Sequence, residues 1–253
     1  MGVHRYLHAS RWNWWTQTPS VDPIVTSFNT LSGTDIPAIK TLVSSLKSAG
    51  IWEKLTDIFP LAGSTATSQS INLKTPGTNS QVFMTPGSAT FSNLGYASNS
   101  AGYGYCTTAP QVLSSFSVYV GVVSTSPAVA NDVIGLSTGS PFAIATGIPG
   151  LCYSFSDGNT YSDLFNQVSA RIIALTPAGT SCLSTRLAGG NHRVHSNGSL
   201  IATAVASAIT LADLNFWSLG SNSGRTYTFL AFGTELSSAE AASLDQIVKT
   251  YRA

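Results

Sequence analysis

The stretch Ser117-Val118-Tyr119-Val120-Gly121-Val122 carries a valine at every second position. Successive side chains of a β-strand point to opposite faces of its sheet, so this period of two predicts a strand with one buried face. Similar short runs follow one another along the chain, and we predict further strands at 68–74, 88–94, 103–108, 132–137, 151–155, 168–175, 180–188, 192–196, 199–205, 214–219 and 225–232. This number and spacing of strands predicts an all-β sandwich or barrel, and we expect a core of two packed antiparallel sheets.

The strongest hairpin signal is Asn197-Gly198, which lies between the two predicted strand segments 192–195 and 200–202. A two-residue type I′ turn needs positive φ at both central residues, and asparagine and glycine tolerate that conformation best. We therefore predict a tight hairpin at this pair.

Helices are expected only at the two ends of this strand-rich region. Residues 34–50 place apolar side chains at helical spacing, and residues 51–59 add a short second turn of helix. Ser237 and Glu240 form a capping box that opens a helix over 237–251.

Composition excludes several classes of protein. Only 9% of the 253 residues are charged, against about 25% in an average domain. The net charge is +1 and the 12 basic residues are scattered singly, which argues against a nucleic-acid partner. No stretch of 18 apolar residues occurs, so no membrane-spanning helix is expected. The three widely spaced cysteines favour buried reduced thiols over a disulfide framework.

The first 32 residues differ from the rest, because three of the five tryptophans lie there. Thr18-Pro19 and Asp22-Pro23 favour an extended chain. Tryptophan, tyrosine and arginine are the residues that most often anchor interfaces. We interpret this segment as an anchoring arm that packs on its own domain or, as we favour, on a partner subunit; its contact residues are Arg5, Tyr6, Arg11, Trp12, Trp14 and Trp15.

Hydrolytic chemistry lacks a convincing set of residues. Retaining glycoside hydrolysis needs two carboxylates about 5–5.5 Å apart. Beyond the first helical region the chain has two glutamates, Glu235 and Glu240, and both lie at the start of the terminal helix. The aspartates that follow residue 100 are isolated on predicted loops, except the one in that helix. We expect no catalytic residues and no enzymatic activity.

Metal and cofactor sites are equally weakly encoded. The four histidines, His4, His8, His192 and His195, have no companion ligands at metal-binding spacing, and we interpret them as surface residues. Asp157, Asn159 and Asp163 offer oxygen donors that a calcium ion accepts, but the same residues form an ordinary turn without an EF-hand's glycine and terminal glutamate. We expect no resident cofactor.

Tyrosines in Gly/Ser-rich segments are the candidates for ligand contact. A rigid aromatic ring can stack on the apolar face of a sugar, so these side chains suit carbohydrate binding. The alternative is that they line the core of the sandwich or its rim. The candidates are Tyr103, Tyr105, Tyr153 and Tyr161, and Tyr96 belongs to the same group.

Three segments resemble a module of tailed-bacteriophage structural proteins. They are IKTLVSSLKSAGIWEKL at 39–55, FPLAGSTAT at 59–67 and NLK at 72–74. Towards the end of the chain, RVHSNG at 193–198 and LSSAE at 236–240 resemble the hairpin and closing helix of that module, with His195 where an aromatic is usual. The resemblance implies a concanavalin A-like, laminin-G-like jelly-roll sandwich.

The resemblance also implies a function. It divides the chain into the arm at 1–32, a helical lead-in at 33–62 and the sandwich at 63–253. It implies a non-enzymatic virion component (an appendage, fibre or decoration protein) assembled in the host cytoplasm with other virion proteins, and a homo-oligomer. The alternative hypothesis is a carbohydrate-binding module that recognises a host surface glycan. Fold alone does not choose between them.

Overall fold

The computed structural model describes residues 21–33, 37–78, 82–84, 89–98, 103–106, 115–123, 133–137, 151–152, 159–162, 172–175, 181–187, 189–206, 216–219 and 226–253. These residues form an antiparallel β-sandwich with helices in the N-terminal region and one helix at the C-terminal end. The all-β fold class predicted from the sequence is confirmed.

Sheet A has eight strands: β1 (Leu55–Phe59), β3 (Ala89–Ser92), β4 (Gly95–Ser98), β6 (Ser115–Val122), β11 (Ser181–Leu187), β12 (Asn191–Ser196), β13 (Ser199–Val205) and β15 (Thr226–Gly233). Their order is β13-β12-β11-β6-β15-β4-β3, and β1 also pairs with β15. The stretch with a valine at every second position is the central strand β6, and the predicted strand is confirmed, with Val118, Val120 and Val122 in one core cluster. The prediction of a single buried face is wrong, because the helices cover the other face and bury Tyr119 there.

Sheet B has seven strands: β2 (Val82–Met84), β5 (Tyr103–Cys106), β7 (Val133–Ser137), β8 (Leu151–Cys152), β9 (Asn159–Ser162), β10 (Ile172–Leu175) and β14 (Phe216–Leu219). Their order is β10-β9-β8-β7-β14-β5-β2. Every described pairing in both sheets is antiparallel.

The helices are α1 (Pro23–Ser32), α2 (Pro37–Ser48), α3 (Ala66–Gln69) and α4 (Ser238–Arg252). The apolar face predicted for α2 is buried. The predicted capping box of α4 is confirmed, since the Ser237 hydroxyl accepts from Glu240 N while the Glu240 carboxylate accepts from Ser237 N.

Two apolar clusters lie on opposite faces of sheet A. The first includes Phe116, Val120 and Phe232 and fills the space towards sheet B. The second includes Tyr119 and Phe229 and joins the other face of sheet A to α1, α2 and α4. Alternate residues of β6 and β15 therefore pack on opposite sides of sheet A, towards sheet B or towards the helices. The described helices form a third layer outside sheet A.

The Asn197-Gly198 hairpin is confirmed. Both residues have positive φ, 49° and 78°, and Ser196 pairs directly with Ser199 across the turn. One β-bulge follows, since His195 pairs with Leu200 while Val194 pairs with Ala202. The turn lies under α4, close to Asp245.

Several local predictions are wrong. The short helical turn predicted over 51–59 is confirmed only at Trp52–Lys54, which forms a 3-10 helix. Residues 55–59 form strand β1 instead, because pairing with β15 outweighs local helix propensity. Residues 68–74 contain the end of α3 and no strand. The predicted extended chain at Asp22-Pro23 is instead the start of α1, with the Asp22 carboxylate accepting from Ile24 N and proline in the first turn.

Candidate functional site

The segments that resemble the phage module form the contacts between the helices and sheet A. Trp52 is buried, and two lysines lie over its ring, Lys74 at 4.3 Å and Lys47 at 5.3 Å from the centroid. The Lys74 ammonium also donates to the Trp52 carbonyl at 2.7 Å. Burial lowers the pKa of Lys74. This arrangement joins two of the quoted segments, 39–55 and 72–74, around a buried ring.

Other motif residues make similar contacts. The Asn72 carboxamide accepts from Ile58 N at 3.1 Å and donates to the buried Asp57 carboxylate at 2.5 Å. Lys54 forms an ion pair with Glu240 at 2.7 Å, which joins the lead-in to the start of α4. These residues have an architectural role.

Asp245 joins α4 to sheet A. Its carboxylate accepts from the Tyr119 hydroxyl at 3.1 Å and from the Ser181 hydroxyl, and forms an ion pair with Lys249 at 2.6 Å. A cleft of about 300 Å³ lies beside it, between α4 and strands β6 and β15. Its two basic residues already have partners, because Arg252 donates to the carbonyls of Asn93 and Leu94. Both basic side chains of the cleft, Lys249 and Arg252, are therefore already engaged in contacts within the protein.

A polar cluster lies between the two sheets. Ser162 of β9 and Ser184 of β11 have hydroxyl oxygens 2.6 Å apart, and His192 Nε2 lies 3.0 Å from the first and 2.9 Å from the second. All three side chains are fully buried, as is Arg186, which pairs with His192 in register. A serine and a histidine in contact suit nucleophilic catalysis, but no substrate reaches this cluster. It joins the sheets.

The interpretation of His192 and His195 as surface residues is wrong. His195 faces the helices, where its Nε2 lies 3.1 Å from the Ser238 hydroxyl, while His192 faces sheet B. Burial, followed by the nearby charge of Arg186, lowers the pKa of His192 to about 4. Burial, followed by the charge of Arg193, lowers the pKa of His195 to about 4. Both are neutral at physiological pH.

The outer face of sheet B includes one predicted tyrosine whose side chain the structure describes, Tyr161. The Ser162 hydroxyl points towards sheet A, so Tyr161, the preceding residue of β9, belongs to the opposite, outer face. Tyr161 and Asn159 are half-buried there. Ile173, which pairs with Tyr161 from β10, is 58% exposed on the same face.

Register places Tyr103 and Tyr105 on this outer face too. Residues directly opposite in antiparallel strands share a face. Tyr161 pairs with Cys152, and Cys152 with Val133. Gly135, two residues after Val133, pairs with Ser218, which pairs with Tyr105. The positions of three candidate tyrosines thus lie on one face of one sheet.

These positions are spread across the face and are not clustered. Strands β9 and β5 are four steps apart in sheet B, which is about 19 Å at normal strand spacing. The seven strands of sheet B contain no Asp, Glu, Lys, Arg or His. The second apolar cluster, which includes the helices, contains no described residue of sheet B. We name the outer face of β5, β7, β8, β9 and β14 the tyrosine face.

Other predicted positions have different outcomes. Tyr96 is fully buried in the core and is not a ligand contact. Tyr153, Asp157, Asp163 and the arm residues Arg5 to Trp15 lie outside the described residues. Asn159, considered above as a calcium ligand, lies on the same face as Tyr161. The positions of Ser218 and Gly135 on this face were missed, because only strand pairing reveals them.

The described ranges contain no group of three His, Cys, Asp or Glu residues placed to hold a metal ion. Within the same ranges, no helix has the length and apolar character needed to cross a bilayer. Cys182, between the sheets, is buried and reduced, as predicted.

No protein-family model matches the chain, and no curated protein sequence is significantly similar to it. Solved structures are similar in fold. One is domain 4 of AbnA, an extracellular arabinanase from Geobacillus stearothermophilus, in complex with arabinotriose, at 15% identity and a TM-score of 0.53, covering 76% of this chain and 98% of that one.

A second similar structure belongs to botulinum neurotoxin type C, whose cell entry depends on two ganglioside molecules. It has 10% identity and a TM-score of 0.55, covering 79% of this chain and 53% of that one. The chain therefore spans about half the length of that neurotoxin structure. A sialidase from Trypanosoma rangeli has 12% identity and a TM-score of 0.50, covering 86% of this chain and 40% of that one. At these identities the similarity establishes the lectin-like β-sandwich fold.

Proposed function

We propose that the protein is a carbohydrate-binding module whose binding surface is the tyrosine face. The observation that carries the proposal is the register, which places the positions of Tyr103, Tyr105 and Tyr161 on one face of the sandwich, opposite the helical layer. Tyrosine suits this role because it combines a flat apolar ring with a hydroxyl that forms hydrogen bonds. Similar folds in a complex with arabinotriose and in a ganglioside-dependent toxin support the same function.

The ligand class follows from charge and spacing. A sheet without charged residues offers no salt bridge to an acidic sugar, and Asp132 and Asp163 directly flank β7 and β9 in sequence. Tyrosine positions about 19 Å apart suit several sugar units at once. The ligand is therefore a neutral polysaccharide chain.

Affinity gel electrophoresis of the full chain tests this function. Arabinan, galactan and β-glucan serve as neutral polymers, and polysialic acid and alginate as acidic ones. We expect retardation by at least one neutral polymer. Tyr161→Ala and Tyr105→Ala should each weaken binding about tenfold, equivalent to about 1.4 kcal/mol, while Tyr161→Phe, which keeps the ring, should bind nearly as wild type.

The matched control is Thr90→Ala at an exposed position of β3 in sheet A, which should leave binding unchanged. Retardation by acidic polymers alone would overturn the ligand class and leave carbohydrate binding intact. Retardation by none of the polymers would overturn the function.

We also propose that the module is not an enzyme. The Ser162, Ser184 and His192 side chains, which resemble a nucleophilic pair in composition, are sealed between the sheets. Incubation with the same polysaccharides should release no reducing ends. Turnover that disappears in Asp132→Ala, Asp157→Ala or Asp163→Ala would contradict this.

The virion role is a finer part of the proposal and is supported by the sequence motifs. A particle-borne module would bind host glycans through the tyrosine face and its particle through the arm. The full chain should co-sediment with purified particles, and the combined change of Trp12, Trp14 and Trp15 to alanine should abolish this. Equal co-sedimentation of both forms would refute anchoring by the arm.

A further inference from the structure

Both sheets end on the same side of the sandwich. Strand β13 is the last strand of sheet A and has β12 as its one described neighbour, and β10 is the last strand of sheet B with β9 as its one described neighbour. The two terminal strands lie close to each other. We name this side, formed by 172–175 and 199–205, the β10/β13 edge.

The β10/β13 edge lacks the charges and prolines that usually protect a terminal strand. Its sequences are IIAL and SLIATAV. Ile173 is 58% exposed, Leu200 49% and Val205 76%. An exposed apolar edge strand is a template for pairing with another strand, and natural proteins usually block it with lysine, proline or a covering segment. The bulge near Leu200 interrupts one end of β13 and leaves 202–205 regular.

The opposite edge of sheet A is different. There the fully buried Gln69 side chain from α3 donates to the Ser92 carbonyl of β3 at 2.9 Å and to the Gly63 carbonyl at 2.7 Å. Arg252 of α4 donates to the carbonyls of Asn93 and Leu94, in the turn that follows β3. One edge is thus covered by side chains from the helices, while the other presents exposed apolar residues.

We infer that the β10/β13 edge is an interface with a second copy of this chain, formed by antiparallel pairing of the two β13 strands. Charge favours a second copy as the occupant. Self-pairing places every charge of a strand near its own equivalent, and like charges across strands are destabilising; β13 has none, and the whole chain carries a net charge of only +1. Copies therefore approach without repulsion.

The regular part of β13 also fits such a pair. A two-fold axis at Ala204 sets Val205 of one copy opposite Thr203 of the other, and both residues are exposed on the outer face. Facing residues then share a face, as antiparallel pairing requires. Sheet A would continue from one copy into the next, and the tyrosine face would lie outside the contact, so the inference goes beyond carbohydrate binding.

Sedimentation equilibrium of the full chain over a wide range of concentration tests the interface. We expect a reversible dimer for the wild type and at least tenfold weaker association for Val205→Lys, which sets new like charges close together. The matched control is Leu94→Lys, because Leu94 is a 62% exposed apolar residue away from the β10/β13 edge. It should associate as wild type. Unchanged circular dichroism would establish that each variant folds.

A second variant gives an independent result. Ala204→Cys places one thiol on the two-fold axis, where Cα atoms of facing residues lie about 4.5–5.5 Å apart, close enough for a disulfide. Mild oxidation should link it into a covalent dimer, whereas Thr90→Cys on the opposite edge should stay monomeric. Two outcomes would overturn the inference: a wild-type chain that stays monomeric at all concentrations, and a dimer that Val205→Lys leaves intact. A monomeric chain whose β13 strand binds only added peptides of other sequence would also overturn it.

Discussion

The two outer faces of the sandwich are built differently. The outer face of sheet A is covered by α1, α2 and α4, which pack on Tyr119 and Phe229 and are fixed by the contacts of Trp52 and Asp245. The outer face of sheet B is the tyrosine face, which has no charged residue in its strands. The first region therefore contributes to stability, and the second is the surface that we propose for binding. The segments that resemble the phage module belong to the first region.

Acid should loosen sheet A on both of its faces, because His195 faces the helices and His192 faces sheet B. Folded His192 and His195 stay neutral down to a pKa of about 4, whereas unfolded histidines bind protons below about pH 6.5. Unfolding therefore takes up protons between these values, and the free energy of unfolding falls as the pH falls from 6.5 to 4. Across the whole range from pH 6.5 to 4, each histidine lowers the free energy of unfolding by about 3 kcal/mol.

Urea unfolding at several pH values measures this effect. The variants His192→Gln and His195→Gln should each show a shallower decline between pH 6.5 and 4. Stability that is flat across that window would show that the two rings are not buried as neutral groups.

Trp52→Ala should produce the next largest effect. Removal of a buried tryptophan costs about 3–5 kcal/mol, and this one also loses its contacts with Lys47 and Lys74. Trp52→Phe, which keeps a ring, should lose less. Chemical denaturation measures the change, and glycan binding below the melting temperature should remain. If binding disappears while the domain stays folded, the two regions are not independent.

Gly198→Val tests the hairpin beneath α4. Gly198 has a φ of 78°, and an added Cβ would lie 3.1 Å from Ala242 Cα and 3.2 Å from Asp245 Cβ. We expect a loss of about 2–3 kcal/mol from backbone strain and overpacking together. Gly189→Val is the matched control, because its φ is 69° with nothing within 4 Å of the added atom. Equal melting temperatures for the two variants would exclude the contact with α4.

Tyr161→Ala should have the smallest effect on stability. Its side chain is half-buried on the tyrosine face, so we expect a change of about 1 kcal/mol or less in the free energy of unfolding. Thermal melting checks this value beside the tenfold loss of glycan binding. A large loss of stability would assign Tyr161 to the core.

Local patterns predicted the fold where one signal dominates. The valines of β6, the capping box of α4 and the Asn197-Gly198 turn each depend on neighbours a few residues away, and all three are confirmed. Strand β1 was missed because its pairing with β15 joins residues about 175 apart in sequence, such as Ile58 and Ala231. No local pattern encodes such a partner.

The candidate site was predicted in part for the same reason. Composition around Tyr103, Tyr105 and Tyr161 indicated ligand contact, but a shared face emerges only from four successive strand pairings. His192 and His195 were interpreted as surface residues because histidine is polar, and the sequence does not show that Ser184, Ser162 and Ser238 lie beside them in the fold.

The contact between Ser162, Ser184 and His192 has a consequence for how the two sheets align. Close packing of apolar side chains already resists sliding of the sheets, and the hydrogen-bonded trio adds a directional constraint, because it satisfies its polar atoms at one offset only. A displacement of sheet B along sheet A would leave buried polar atoms without hydrogen bonds, and each such atom would cost about 1–3 kcal/mol of stability. The trio therefore fixes the alignment of the two sheets. The position of the tyrosine face relative to the helical layer, on the opposite side of the molecule, is fixed with it.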